Sequence, residues 1–240
     1  MKHEFDKIVR SRRSVRRFKK INIDEEDVKD CIYHASLAPN SSNLQLWEFY
    51  HVTKNDLIKK ISHACFDQPA ARTANQFLVL VTRKDLWNSR RKFNINYIKN
   101  RPETSKNEGL KKRSVAIKYY KYLIPTVYRE FFGLLGWFRY LNAIIIGLFR
   151  PIYRQVTKSD MRVVAHKSTA LAAQNFMLSM TSKGYDTCPM EGFDSLRVKK
   201  TLSLPNRAEI NMIISCGIRD EKGVYGDQIR VPFNEVYFKK

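Results

Sequence analysis

The run Phe77-Leu78-Val79-Leu80-Val81 constrains the fold of this chain more than any other stretch. It is apolar at every position and has the length of a strand. That pattern predicts a central strand buried on both faces, because a strand with one wet face alternates apolar and polar residues. Ile210 to Ile218 (INMIISCGI) predicts a second buried strand, and Trp47 to Thr53 an apolar strand after a polar loop. Helical patterns fill the intervals. Residues 3 to 13 place Phe5, Ile8 and Val9 on one side. Asp24 is an N-cap, with Glu25, Glu26 and Asp27 in the first turn where the helix dipole favours acids. Val28, Cys31, Ile32 and Ala35 continue that helix as an apolar stripe to about Leu37, and Pro39 ends it. Leu57 to Ala64 reads as helix. Val163 to Ser182 predicts a long one, whose Ala170, Ala172 and Ala173 suit close packing in a central helix or at a subunit interface. Asp194 caps a short helix to about Leu202.

A chain of 240 residues with 43% hydrophobic and 12% aromatic content can bury a full core. The expected organisation is one domain over 1–240, interrupted by an insertion at about 85–160. That segment holds 16 Lys and Arg against 5 Asp and Glu, which is +11 of the chain's +21. Such charge suits nucleic acid, an anionic membrane surface or an anionic cofactor. No nucleic-acid motif accompanies it, and the aromatic residues sit in apolar runs instead of alternating with basic ones, so nucleic acid is disfavoured. The four cysteines and five histidines are dispersed without metal-site or CxxC spacing, so no metal is expected. Free thiols fit a reducing cytoplasm. The first 18 residues lack the apolar core of a secretory signal.

The second half of the insertion, Phe131 to Phe149, is strongly apolar, and Pro125 and Pro151 bracket a long helix there. Three readings stay open for residues 125–151. The helix packs over the domain or a partner subunit, lies in a membrane interface with basic flanks, or crosses the bilayer. Arg139 and Asn142 near the middle argue against a span, since a charge at the bilayer centre costs about 2.5–3.5 kcal/mol on insertion scales.

Three stretches carry candidate chemistry. Arg12-Arg13-Ser14-Val15-Arg16-Arg17-Phe18 concentrates guanidinium groups around a hydroxyl, which suits a phosphate or other oxyanion and equally a solvated basic face. Asn40-Ser41-Ser42-Asn43-Leu44-Gln45 offers carboxamides and hydroxyls able to read a heterocycle edge, or to cap a turn. In Lys183 to Asp194 (KGYDTCPMEGFD), Gly184 sits at a helix C-cap and Pro189 and Gly192 interrupt the backbone. The segment from Cys188 is expected to leave the ladder and present free N–H groups. Arg230, in the extended tail from Gly223, is a further anion candidate. Cys188 reads as a buried structural thiol.

Four motifs in this order resemble the nitroreductase family of FMN-dependent oxidoreductases. They are RRSVRRF, APNSSNLQLWEF, ALAAQNFMLSMTSKGYDTCPMEGFD and the closing Arg-x-Pro. The resemblance covers roughly 5–83 and 163–237. It implies an α+β fold, a central mixed sheet flanked by helices, with the insertion mainly helical. It also implies a homodimer with FMN at the subunit interface. Arg12, Ser14 and Arg230 would hold the FMN phosphate with Arg13 nearby, and Arg16 would approach the pyrimidine side of the ring. Ser41 and Asn43 would reach the flavin held mainly by the other subunit. Pro189, Met190, Glu191 and Gly192 would lie against the ring, with the N–H groups of Glu191 and Gly192 near N5 and O4. The sequence departs from the family at Leu46, where proline is frequent, and at Gln228, where a second basic residue often stands. The N3 edge is left unassigned, with Asp67 and Gln68 as secondary candidates.

The implied reaction is reduction of a small organic acceptor, nitroaromatic or quinone-like, by NAD(P)H through ping-pong hydride transfer at flavin N5. The alternatives are a specialised reaction on the same flavin fold (dehalogenation, dehydrogenation or flavin conversion) or a basic protein binding anions or a membrane surface. The expected location is cytoplasmic, with membrane contact through the insertion.

Overall fold

The computed structural model describes residues 2–101 and 110–240. Helix α1 (Lys2–Ser11) and α2 (Glu25–Ser36) precede strand β1 (Trp47–Val52). Helices α3 (Asn55–Ala64) and α4 (Pro69–Arg72) lead to β2 (Gln76–Thr82). Helices α5 (Trp87–Asn100), α6 (Leu110–Lys118), α7 (Ile124–Tyr128) and α8 (Leu134–Ile146) follow. The chain then returns through α9 (Lys158–Ser182), β3 (Asp186–Met190), α10 (Ser195–Thr201) and β4 (Glu209–Gly217). Residues 102–109, in the basic half of the expected insertion, lie outside the described residues.

The four strands run in the order β1-β2-β4-β3. All three pairings are antiparallel, with Trp47 opposite Thr82, Leu78 opposite Ile214 and Cys188 opposite Ser215. The mixed character expected of the sheet is confined to one parallel bridge between Ser14 and Thr187. Every residue of β2 is buried, and its alternation explains why. Phe77, Val79 and Val81 pack with Ile213, Cys188 and Met190 against Ile61, Ala64 and Val198 of α3 and α10. Leu78 and Leu80 point the other way, with Ile214 and Cys216, onto Ala172, Ala173, Phe176 and Met180 of α9 and onto Val28, Cys31 and Ala35 of α2. The two alanines bring α9 close enough for Phe176 to fill the layer.

Local signals hold where capping chemistry is strong. Asp24 accepts from the Glu26 N–H at 2.8 Å, and Asp194 accepts from Leu196 and Arg197 at 3.0 and 3.1 Å. Gly184 has φ of +81°, a left-handed cap that costs a glycine nothing. Helix α9 starts before the expected Val163, because Thr157 and Asp160 form a reciprocal capping box.

Two expectations need correction. The segment at Cys188 does not leave the ladder: Cys188, Pro189 and Met190 pair with β4. Pro189 is tolerated because β3 is an edge strand, so its missing N–H forfeits no ladder bond. Residues 125–151 do not form one long helix. Phe132 and Gly133 adopt φ of +49° and +88°, which separates α7 from α8. Pro125 lies in the first turn of α7, where a missing N–H is harmless.

Candidate active site

The segment from Arg12 to Phe18 is held in place through its backbone. The Val15 N–H donates to Thr187 O at 3.0 Å, the Arg16 N–H to Gly223 O at 2.6 Å and the Lys19 N–H to Ile218 O at 2.8 Å. Val15 and Phe18 are buried, so the residues between and before them are turned outward. Arg12, Arg13, Ser14 and Arg16 thereby line a cavity of about 280 Å³ together with Tyr225, Asp227, Gln228 and Arg230 of the tail. Arg13 donates to Gly226 O at 2.7 Å and ties the tail to this wall.

The electrostatics are those of a site short of negative charge. Burial, with the positive charges of Arg230 and Arg13 beside it, holds the Arg12 guanidinium below its ordinary pKa. Asp227 is the one carboxylate on this wall among the described residues. An incoming oxyanion would relieve the crowding and accept from several donors at once.

The turn after β3 forms the second component. The N–H groups of Glu191 and Gly192 have no acceptor in the chain among the described residues. A Cβ placed on Gly192 would meet nothing within 4 Å. The carbonyl of Gly192 accepts from Gln68 Nε2 at 3.3 Å, and the Asp194 N–H donates to Ala64 O at 2.8 Å. The Phe66-Asp67 pair, at φ of +60° and +47°, is thus fixed beside this turn. Asp67 itself faces away, accepting from Ser62 at 2.9 Å and contacting His63 at 3.0 Å. Of the two secondary candidates, Gln68 is the one that borders the turn. The Thr187 hydroxyl is buried without a partner on the strand that receives the Ser14 segment.

Cys188 is buried, and that burial pushes its thiol pKa up despite the opposing pull of Arg16 and Arg12. All four cysteines are free and buried, and burial raises Cys65 to about 12. The thiolate is the reactive form, so at pH 8 the native protein is expected to leave all four thiols unreacted toward an aromatic disulfide reagent. Addition of urea should release four equivalents. Rapid reaction of one thiol before unfolding would contradict this.

Ser41 and Asn43 are not brought to the arginine cavity. Their loop has left-handed backbone at Ser42, Asn43 and Gln45, with φ of 55°, 47° and 48°. Such conformations cost non-glycine residues energy and persist only when neighbours impose them. Here the neighbours come from the helical excursion. The Tyr120 hydroxyl donates to Ser42 O at 2.9 Å, Asn94 Nδ2 donates to Asn43 O at 2.9 Å, and the Ser42 and Tyr119 hydroxyls lie 2.6 Å apart. Ser41 and Ser42 line a larger cavity of about 610 Å³. Tyr128, Tyr153, Ile152, Val156 and Met161 give it a mainly apolar wall, with Arg139 and Asn142 as polar points. Burial pushes the Tyr128 hydroxyl up to about 12, so it is a neutral donor at physiological pH.

Sequence reasoning did not single out Tyr225 and Asp227 as cavity residues, and it marked Gln228 only as a departure from the family. These residues sit beside Arg230, and their clustering around Gly226 was the available signal. The large cavity is made by residues far apart in sequence, and no local pattern announces it.

A nitroreductase family model matches residues 9–218. MhqN of Bacillus subtilis is 25% identical over 234 residues, with 97% of each chain covered. The 4-nitrobenzoate reductase of a Nocardioides species is 28% identical over 221 residues, covering 90% of this chain and 81% of that protein. Among solved structures, a nitroreductase-like protein from Streptococcus mutans superposes with a TM-score of 0.73 at 19% identity over 100% of both chains, a likeness of fold. A nitroreductase-like protein from Exiguobacterium sibiricum with the same fold was solved in complex with FMN, and an NADPH:FMN oxidoreductase from Vibrio harveyi in complex with NAD+. A match over residues 9–218, which include the Arg12–Arg16 wall of the basic cavity and the turn after β3, leads to one conclusion: this protein belongs to the nitroreductase family.

Proposed function

We propose that the chain works as a homodimer, holds FMN in the basic cavity, and uses NAD(P)H to reduce a small aromatic acceptor, nitroaromatic or quinone-like. The observation that carries this reading is the cavity itself. Four guanidinium groups and the Ser14 hydroxyl converge on a space large enough for a phosphoryl group, against one carboxylate. Donor chemistry of this kind fits the phosphate of FMN, and the unpaired N–H groups of Glu191 and Gly192 fit the edge of a planar ring.

In this reading Arg12, Ser14 and Arg230 donate to the phosphate, and Arg13 braces the tail beside it. Arg16 places a fixed positive charge on the pyrimidine side, where negative charge develops on reduction. Pro189 and Met190 support the ring, and the open space at Gly192 admits it closely. Ser41 and Asn43 serve the cofactor of the second protomer, as the resemblance implies. FMN held there would supply the two-electron chemistry between NAD(P)H and the acceptor. The cavity of about 610 Å³ beside Ser41 gives the acceptor an apolar seat, with the Tyr128 hydroxyl as a neutral donor. A relative named for reduction of 4-nitrobenzoate supports a nitroaromatic of this size. Apolar side chains exposed on α1 (Phe5, Val9), α9 (Val163, Leu171) and the tail (Val231, Phe233) support the homodimer.

An absorption spectrum of the purified protein tests the cofactor. A yellow protein that releases one FMN per chain on heating is the expected result. A colourless protein that also fails to bind added FMN would overturn the reading. Initial-rate plots against NAD(P)H and acceptor should give parallel lines, and intersecting lines would contradict a shared, alternating site. Gly192→Val separates fold from ligand. Its side chain meets open space in the chain, so the thermal midpoint of the protein stripped of FMN should not move. Overpacking of about 1–3 kcal/mol against the ring would weaken FMN binding by roughly 5- to 140-fold.

A further inference from the structure

Helix α8 turns its apolar side away from the protein. Trp137, Phe138, Leu141, Ile144 and Ile145 recur at three- and four-residue spacing, so they share one face, and all are exposed. Leu148 extends the stripe past the helix end and is 76% exposed, while Phe132 at the opposite end is 91% exposed. The inner face is narrow. Gly136 and Ala143 are buried there, and a Cβ on Gly136 would come within 3.1 Å of Lys158 N.

Arg139, the charge that counted against a membrane span in the sequence, lies on this inner side. It donates to Val156 O, Thr126 O and Arg129 O at 3.0, 2.9 and 2.8 Å and pairs with Glu130. The outward stripe is therefore free of charge. Around its ends Arg129, Arg150 and Arg154 are exposed. Residues 110–159 contain ten Lys and Arg and a single acidic residue, Glu130, which is already paired.

A second copy of the chain is a poor occupant for this face. Packing α8 on α8 about a two-fold axis would set one basic rim against the other, with no unpaired acidic side chain between 110 and 159 to offset them. The apolar residues on α1, α9 and the tail supply separate surfaces for self-association. Among the described residues no helix is long and apolar enough to cross a membrane. A short helix with an apolar, aromatic stripe and a purely basic rim instead matches an anionic lipid surface in both polarity and charge.

The geometry points to α8 as a membrane-docking helix. It lies in the headgroup layer of an anionic bilayer, with the Trp137–Leu148 stripe turned into the acyl boundary and Arg129, Arg150 and Arg154 on lipid phosphates. The inner side of the same helix contributes Arg139, Asn142 and Ala143 to the large cavity, so docking would set that cavity directly behind the lipid surface. Docking does not depend on the flavin reading.

The test is vesicle flotation of the full-length protein as purified. The vesicles are phosphatidylcholine alone or phosphatidylcholine with about 30% phosphatidylglycerol, at about 0.1 M salt. Most of the protein should float with the anionic vesicles and little with the neutral ones. The double variant Trp137→Asp, Ile145→Asp should lower the floated fraction by roughly tenfold or more, with the visible spectrum and the sedimentation mass unchanged. Wild-type protein that stays in the aqueous fraction with anionic vesicles would overturn the proposal, as would a variant that floats like the wild type. A change in sedimentation mass in the variant would assign the face to contact between copies and also overturn it.

Discussion

Replacement of Arg12 and Arg230 together by alanine is expected to give a folded protein that purifies without colour. Both side chains line the basic cavity, and neither is part of the hydrophobic core. Hydrogen bonds to a charged group contribute about 1.5–3 kcal/mol each. Losing both would weaken FMN binding by roughly 10² to 10⁴-fold, at about 1.4 kcal/mol per tenfold. Fluorescence titration of FMN into protein stripped of cofactor measures this directly. Arg17→Ala is the control, because Arg17 is exposed, carries the same charge and does not line the cavity. If Arg17→Ala costs as much as either cavity arginine, binding follows the overall basic charge and the cavity is not the phosphate site. Burial first, and then the neighbouring charges of Arg230 and Arg13, lower the pKa of Arg12; removing both cavity arginines in the absence of ligand relieves both, so the double variant should melt no lower than the wild-type apoprotein.

The largest effect on stability is expected at Phe176. It is fully buried on α9, between the sheet residues Leu78, Leu80 and Ile214 and the α2 residues Val28 and Cys31. Phe→Ala in such a site removes transfer energy and leaves a cavity, for about 3–5 kcal/mol. That is a large share of the roughly 5–15 kcal/mol that holds a domain folded. At about 2–4 °C per kcal/mol for a chain of this size, the midpoint should fall by roughly 6–20 °C. Protein and FMN concentrations must be matched between the samples, since ligand and subunit binding both shift the midpoint. A fall under about 2 °C would mean that the layer between α9 and the sheet collapses to fill the gap and is not tightly packed.

The two effects lie on different links between sequence and function. Phe176 supports the sheet that presents β3 and the Ser14 segment, and the arginines use what that sheet presents. The loop at Ser41 depends on a third link. Its left-handed residues are held by Tyr119, Tyr120 and Asn94, so damage to the helical excursion would reach the candidate site without touching the basic cavity.

Much of this was legible in the residues. An apolar run of strand length without alternation suits a doubly covered strand, and Phe77 to Val81 lies in one. Asp24, Asp194 and Gly184 announced helix ends because their capping bonds are made within a few residues. The arginines around Ser14 suited an oxyanion or a solvated basic face, and the family resemblance, not the residues alone, implied a phosphate there and a flat ring at the Glu191-Gly192 turn. What the sequence could not determine depended on neighbours distant along the chain. Pro189 belongs to a strand because β3 lies at an edge, and an edge position is a property of the sheet. Residues 125–151 broke into two helices at Phe132 and Gly133. Arg139 turned inward to carbonyl groups at Thr126, Arg129 and Val156, which left the outer face of α8 without charge. Capping and burial patterns act over a few residues and can be read directly. Edges, cavities and the direction of a buried charge are set by contacts across the fold, and only the tertiary structure decides them.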